Sequence, residues 1–286
     1  MKELQRVGDR FHDRQLIAVL RESSDPANID QCCLPIEKRI GDLTDEAFLT
    51  KAMEDVDTVL HIAGIHWSLP VVRSAAAAGV RRMILVHTTG IYSKYKAAGE
   101  EYRQIDAACE EIARRSGMIL TILRPTMIYG GTNDGNMIRF IKLVDRFPVI
   151  PVVSGARYLL QPVHREDLGR AYLQVLCQPE LTDGKQYVLS GEKPILLRDI
   201  LQEIAQHLGK PAKFFSVPFW MAFAGAWFFY IISIGKLDLR EKVQRLVEDR
   251  SYPHDDAARD FGYQPMAFSE GLSREVQDYL LGRKAR

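Results

Sequence analysis

A phenol, an imidazole and two adjacent hydroxyls are the groups in this 286-residue chain whose types and spacing could move a proton or hold a polar ligand. Tyr102 stands four residues before Asp106 in YRQID, so the two would lie one helical turn apart. An ionised carboxylate there would raise the phenol's pKa, the opposite of what proton transfer near neutrality needs. His66 follows the small pair Ala63-Gly64, and an imidazole exchanges protons at cellular pH without help from a cation. Thr88, Thr89 and Tyr92 share the polar stretch 87–97, where hydroxyls can bind a substrate or satisfy loose backbone groups, and where a tyrosine can line a site or cap a core. His61 and His164 sit inside apolar runs and read as packed residues.

Positioning these groups requires strands that end where they begin. Met83 to Val86 and Ile119 to Leu123 are short, apolar and rich in branched residues, as in strands buried on both faces of a parallel sheet. Between them, Tyr102, Ile105, Ala108, Cys109 and Ile112 recur at helical spacing up to Gly117, which predicts a helix over 98–116. Further strands are expected at 15–20, 39–41 and 57–62, with helices at 45–54, capped by Thr44, and at 69–78. The alternation predicts an α/β, doubly wound parallel sheet, whose ligands bind at the carboxyl ends of the strands.

Composition narrows the classes. A net charge of +1, with no basic tail or patch, gives no case for nucleic acid. The four cysteines, Cys32, Cys33, Cys109 and Cys177, have no metal-ligand spacing, so no metal site is expected and a reduced, cytoplasmic setting fits best. No apolar leader opens the chain.

The motifs GDL at 41–43, VLHIAG at 59–64, ILVHTTGIY at 84–92, TILRPTMIYG at 121–130, QPVHREDLGRAYLQVL at 161–176 and FGYQPMAFSEGL at 261–272 follow one another in an order that resembles the short-chain dehydrogenase/reductase superfamily, in its extended and atypical branch of epimerase/dehydratase-like proteins. The resemblance implies a Rossmann-like domain over 1–130 and 161–176, with a substrate lobe from 131–160 and 177–286. It implies a dinucleotide, NADP slightly ahead of NAD because Arg21 stands where a 2'-phosphate would be met. Asp42 and Leu43 would receive the adenine, Ala63 and Gly64 would let the cofactor approach the backbone, and Arg124 with Pro125 and Thr126 would shape the site or contact an anion. Thr88 or Thr89 would hold the substrate carbonyl, Tyr92 would wall the site, and Arg157 and Gln161 could face a substrate, as could Arg139. His66 would project near the nicotinamide and serve as a substitute acid.

Two departures accompany the match. Gly8 is the only glycine before Gly41, so the Gly-rich phosphate turn and the strand before it are absent from the sequence as given, which suggests a start downstream of them or a cofactor-free relic. The family's Tyr-x-x-x-Lys is Tyr102-x-x-x-Asp106 here, and Lys94 or Lys96 could replace the ammonium only from an ordinarily solvated loop.

Val217 to Ile234 carries no charge and is apolar on every face. At ~1.5 Å rise per residue its 18 residues approach the ~30 Å hydrocarbon thickness, leaving open a helix packed on the body or in a partner interface, an in-plane membrane contact, and a true span. The functional expectation is NAD(P)-linked reductase or epimerase/dehydratase chemistry on a small carbonyl or sugar-nucleotide substrate, with a homodimer possible. Its alternative is a non-catalytic NAD(P)-binding sensor or scaffold, which a membrane contact through 217–234 would anchor.

Overall fold

Parallel strands appear wherever the sequence carries its short apolar runs. The computed structural model describes residues 2–6, 11, 13–95, 97–131, 134–233 and 238–284. After a short helix α1 (Lys2–Arg6) come β1 (Leu16–Leu20), α2 (Ala27–Asp30), β2 (Ile36–Ile40), α3 (Glu46–Ala52), β3 (Thr58–His61), α4 (Ser68–Ala77), β4 (Arg82–Val86), α5 (Gly99–Ser116) and β5 (Ile119–Pro125). Next are β6 (Ile128–Tyr129), α6 (Met137–Arg146), β7 (Ile150–Val153), β8 (Leu159–Leu160), β9 (Val163–His164), α7 (Arg165–Cys177), α8 (Pro179–Thr182) and β10 (Gln186–Leu189). The last third holds β11 (Ile195–Leu196), α9 (Leu197–His207), β12 (Phe214–Val217), α10 (Phe219–Ile232), α11 (Arg240–Arg245), α12 (Asp255–Phe261) and α13 (Phe268–Lys284).

The main sheet is split. Four parallel strands run in the order β3-β4-β5-β10, while β1 and β2 pair only with each other, also in parallel. Among the described residues no strand joins β1 to β3. Strand β4 is buried along its whole length and all of β1 is half-buried, as expected for a central strand and for one beside a break.

Helices cover both faces of the four-stranded sheet. One face packs Val71, Val72 and Ala75 of α4 and Tyr102, Ile105 and Cys109 of α5 against Met83 and Leu85. The other packs Leu168, Ala171 and Val175 of α7 and Phe261 of α12 against Ile84, Leu123 and Tyr187. A third cluster joins α6, α9 and α13 through Ile141, Ile200 and Leu272, away from the sheet faces.

Local chemistry sets the boundaries. Asp45 rather than Thr44 caps α3, its carboxylate accepting from the Phe48 amide at 3.0 Å, because Thr44 is turned toward Asp42. Gly117 closes α5 in the left-handed conformation. The apolar stretch at 217–234 forms a 14-residue helix, α10, with Val217 in β12. No helix among the described residues is long and apolar enough to cross a membrane.

Candidate functional site

The turns after β3 and β4 converge on the helix that carries the phenol. Residues 65–67 and 89–92 form short 3-10 turns, and both pack against α5. Tyr102, on the first turns of α5, is buried, and its hydroxyl lies 3.5 Å from His66 Nε2 with the rings edge to face at 5.3 Å. The other imidazole nitrogen, Nδ1, lies 3.3 Å from Glu101 Oε1. A carboxylate, an imidazole and a phenol thus stand in line, with their solvent side open because His66 and Glu101 are both exposed. Glu101 was not legible as a member, because it is one of two acidic residues at the start of α5 and nothing in their spacing separates them.

Asp106 does not face the phenol. Its carboxylate is buried between two partners, accepting from Arg124 Nη2 at 2.5 Å and from His87 Nδ1. Burial pushes this carboxyl up, but the His87 hydrogen bond and the Arg124 charge outweigh it and hold the pKa below the ordinary value. With Nδ1–H donated to Asp106, His87 Nε2 accepts from the Ser68 hydroxyl at 2.9 Å. Ser68, His87 and Asp106 so reproduce the order of a nucleophile, base and orienting acid. The hydroxyl is fully buried, and the chain acts instead as a polar brace between α4, β4 and α5. Sequence reasoning missed Ser68 and His87, since each step of the brace spans 19 residues and no local pattern marks it.

The hydroxyls after β4 shape the loop. Thr88 Oγ1 accepts from the Gly90 amide at 3.0 Å, and the buried Thr89 donates to the Pro125 carbonyl at 3.3 Å. Lys94 is exposed, its backbone amide held by Glu248, and Lys96 lies outside the described residues. The Tyr92 ring lies tilted against Tyr252 at 5.3 Å and, with Arg124 and His254, Tyr92 lines a cavity of about 160 Å³. Arg124 is buried, and its Nε meets no partner among the described residues. Gln161 lies behind this wall, its amide donating to the Gly191 carbonyl at 2.8 Å and accepting from the Tyr252 amide at 3.0 Å. Arg157 is exposed beside Gly155, and Arg139 is exposed on α6.

His61 is a core residue whose Nε2 bonds the Gly64 carbonyl at 3.0 Å, and burial lowers its pKa. His164 is also lowered by burial and caps α7, accepting from the Glu166 amide at 3.3 Å. Among the described residues no cluster could hold a metal ion.

The carboxyl ends of β1, β2 and β3 are the edges to test against the dinucleotide that the fold implies. Arg21 and Asp42 are exposed just past β1 and β2, and Asp42 is held below the usual carboxylate range by the amide and hydroxyl of Thr44. Leu43 is half-buried beside them. Past β3, Ile62 and Ala63 are exposed and a side chain at Gly64 would meet nothing within 4 Å, so the backbone is open to close approach. The described residues provide no Gly-rich turn for the pyrophosphate between these ends.

A doubly wound sheet with its polar side chains at the carboxyl rim defines a dinucleotide-binding protein. The particular family follows from comparison: residues 5–179 match the NAD(P)H-binding family, and the chain belongs to it. It is 21% identical over 207 residues to the uncharacterised protein y4nG of Sinorhizobium fredii, covering 62% of this chain and 52% of that one, about half its length. It is 22% identical over 233 residues to the N-acetyl-alpha-D-glucosaminyl-diphospho-ditrans,octacis-undecaprenol 4-epimerase of Escherichia coli O157:H7, covering 68% of each. The triphenylmethane reductase of Citrobacter sp. complexed with NADP(H) superposes with a TM-score of 0.71 at 18% identity, over 95% of this chain and 94% of that one, a likeness of fold.

Proposed function

We propose that this chain catalyses NAD(P)-linked epimerisation, dehydration or reduction of a sugar-nucleotide or other small carbonyl substrate. The carboxylate, imidazole and phenol aligned through Glu101, His66 and Tyr102 carry the reading, because together they can accept and return a proton. Residues 1–130 and 161–176 hold the dinucleotide in this account, and 131–160 with 177–286 form the substrate side.

Arg21, Asp42 and Leu43 hold the adenosine end, and a phosphate at the Arg21 position makes NADP the better fit. Ala63 and Gly64 admit the other end. The dinucleotide, when bound, supplies reversible hydride exchange with a substrate carbon. Tyr102 gives or takes the proton on the substrate oxygen, His66 passes it to or from solvent, and Glu101 orients the imidazole. Thr88 or Thr89 steadies the reacting oxygen, while Tyr92 and Arg124 wall the cavity, Gln161 fixes Tyr252 behind it, and Arg157 meets a more distant substrate group. A sugar carried on a diphosphate, as named for the Escherichia coli relative, fits this substrate class.

The test is to follow nicotinamide absorbance and sugar isomer composition with NADPH or NADH across carbonyl and sugar-nucleotide panels. Turnover is expected with at least one substrate. Saturable cofactor binding without turnover on either panel would instead favour a non-catalytic sensor.

A further inference from the structure

Helix α10 is apolar all round and projects from the body. Trp220 is 69% exposed, Phe228 61% and Ile231 63%, while Ala226 is the helix's one buried residue. Trp220, Ala224, Trp227, Phe228 and Ile231 recur at helical spacing on the outward side. With Phe215, Met221, Phe229 and Ile232, this face exposes roughly 1,000 Å², against the 300–600 Å² of the largest apolar patch on an ordinary monomer.

We propose that α10 docks in the plane of an anionic lipid bilayer. Three features choose this occupant. First, 14 residues at ~1.5 Å span about 21 Å, too short to cross the ~30 Å hydrocarbon core but suited to lying in the interface. Second, an interface between two protein chains sets its apolar centre in a polar rim with several hydrogen bonds. Here the only polar handles along the helix are the indole N–H groups of Trp220 and Trp227 and the Tyr230 hydroxyl, the aromatic types that settle at the headgroup level. Third, a cation already sits on the aromatic side: Arg240, paired with Asp238, lies over the Trp227 and Tyr230 rings at 4.9 and 4.1 Å. Lys210 is paired with Asp145, whereas Lys213, just before β12, is exposed and available to lipid phosphates.

The full-length protein is floated with phosphatidylcholine vesicles, with and without phosphatidylglycerol. It is expected to rise with the anionic vesicles and much less with neutral ones. The triple substitution Trp220→Ser, Phe228→Ser and Ile231→Ser should reduce flotation by about tenfold or more, as expected when large buried apolar side chains are lost. Brominated lipid should quench the tryptophan emission of the unsubstituted protein, a readout that stands whether or not the variant folds. Absence of flotation and quenching would overturn the proposal. So would a concentration-dependent dimer, seen by light scattering, that buries these tryptophans in place of lipid.

Discussion

At the residue scale the decisive position is Asp106. Its place four residues after Tyr102 suggested a carboxylate working against the phenol, yet both its oxygens are engaged, by His87 and Arg124. Breaking a buried, paired charge network costs about 3–5 kcal/mol, so Asp106→Ala should lower the unfolding free energy by that order in urea titration. Asp106→Lys should be at least as damaging because it buries a second cation beside Arg124. The pH dependence has a definite sign. A carboxyl whose folded pKa is depressed contributes stability that is present above its unfolded value, 3.8, and lost as pH falls through the folded value. Acid unfolding of Asp106→Asn should therefore be less steep below pH ~4 than that of the unsubstituted protein. The phenol, the hydroxyls and His66 were legible because their types are few and their loops follow unmistakable strands. Ser68 and His87 were not, since a brace between three elements exists only after they pack.

At the element scale the loop after β6 is held by an unusual clamp. Glu275 of α13 is buried, accepts from the Gly130 amide at 2.9 Å and lies against Asp134, and burial with that neighbouring charge raises its pKa to about 8. A carboxyl raised in the fold stabilises it fully below its unfolded value, 4.5, and loses that contribution as pH rises through about 8. Thermal stability should accordingly decline between pH 4.5 and about 8 and level off above it, and Glu275→Gln should flatten the decline. Gly130 itself cannot be replaced, because its φ is +112° and a Cβ would sit 2.3 Å from His164 Nε2. Gly130→Ala should cost about 1–3 kcal/mol by calorimetry. Element identities were readable from periodicity, as with the helix expected over 98–116 and found at Gly99–Ser116. The cap of α3 was misplaced by one residue, because Asp42 draws the Thr44 hydroxyl to itself.

At the scale of the whole molecule, the parallel strands fall into two units of unequal burial. Among the described residues β1 and β2 pair with each other alone, whereas β4 lies between β3 and β5. Amides of β1 and β2 should exchange with solvent faster than those of β4 and β5, and bound NADPH should slow the former most, since Arg21 and Asp42 end those strands. The doubly wound class was legible because strand and helix runs alternate in the sequence. The split was foreshadowed by the missing Gly-rich turn, but pairing is a non-local property that no window of residues contains. The fate of the apolar stretch at 217–234 was also open in the sequence, because periodicity cannot say what lies against a helix that is apolar on every side. Its exposed outward face answers how much of it the body covers.

The account stands or falls on the phenol. The most direct measurement is kcat/KM for the Tyr102→Phe and His66→Ala variants on whichever panel substrate is turned over, with cofactor affinity measured in parallel. Loss of a positioned proton donor predicts a fall of about 10²–10⁴-fold for Tyr102→Phe, a smaller fall for His66→Ala, and an unchanged cofactor Kd in both. Turnover that survives Tyr102→Phe undiminished would contradict it.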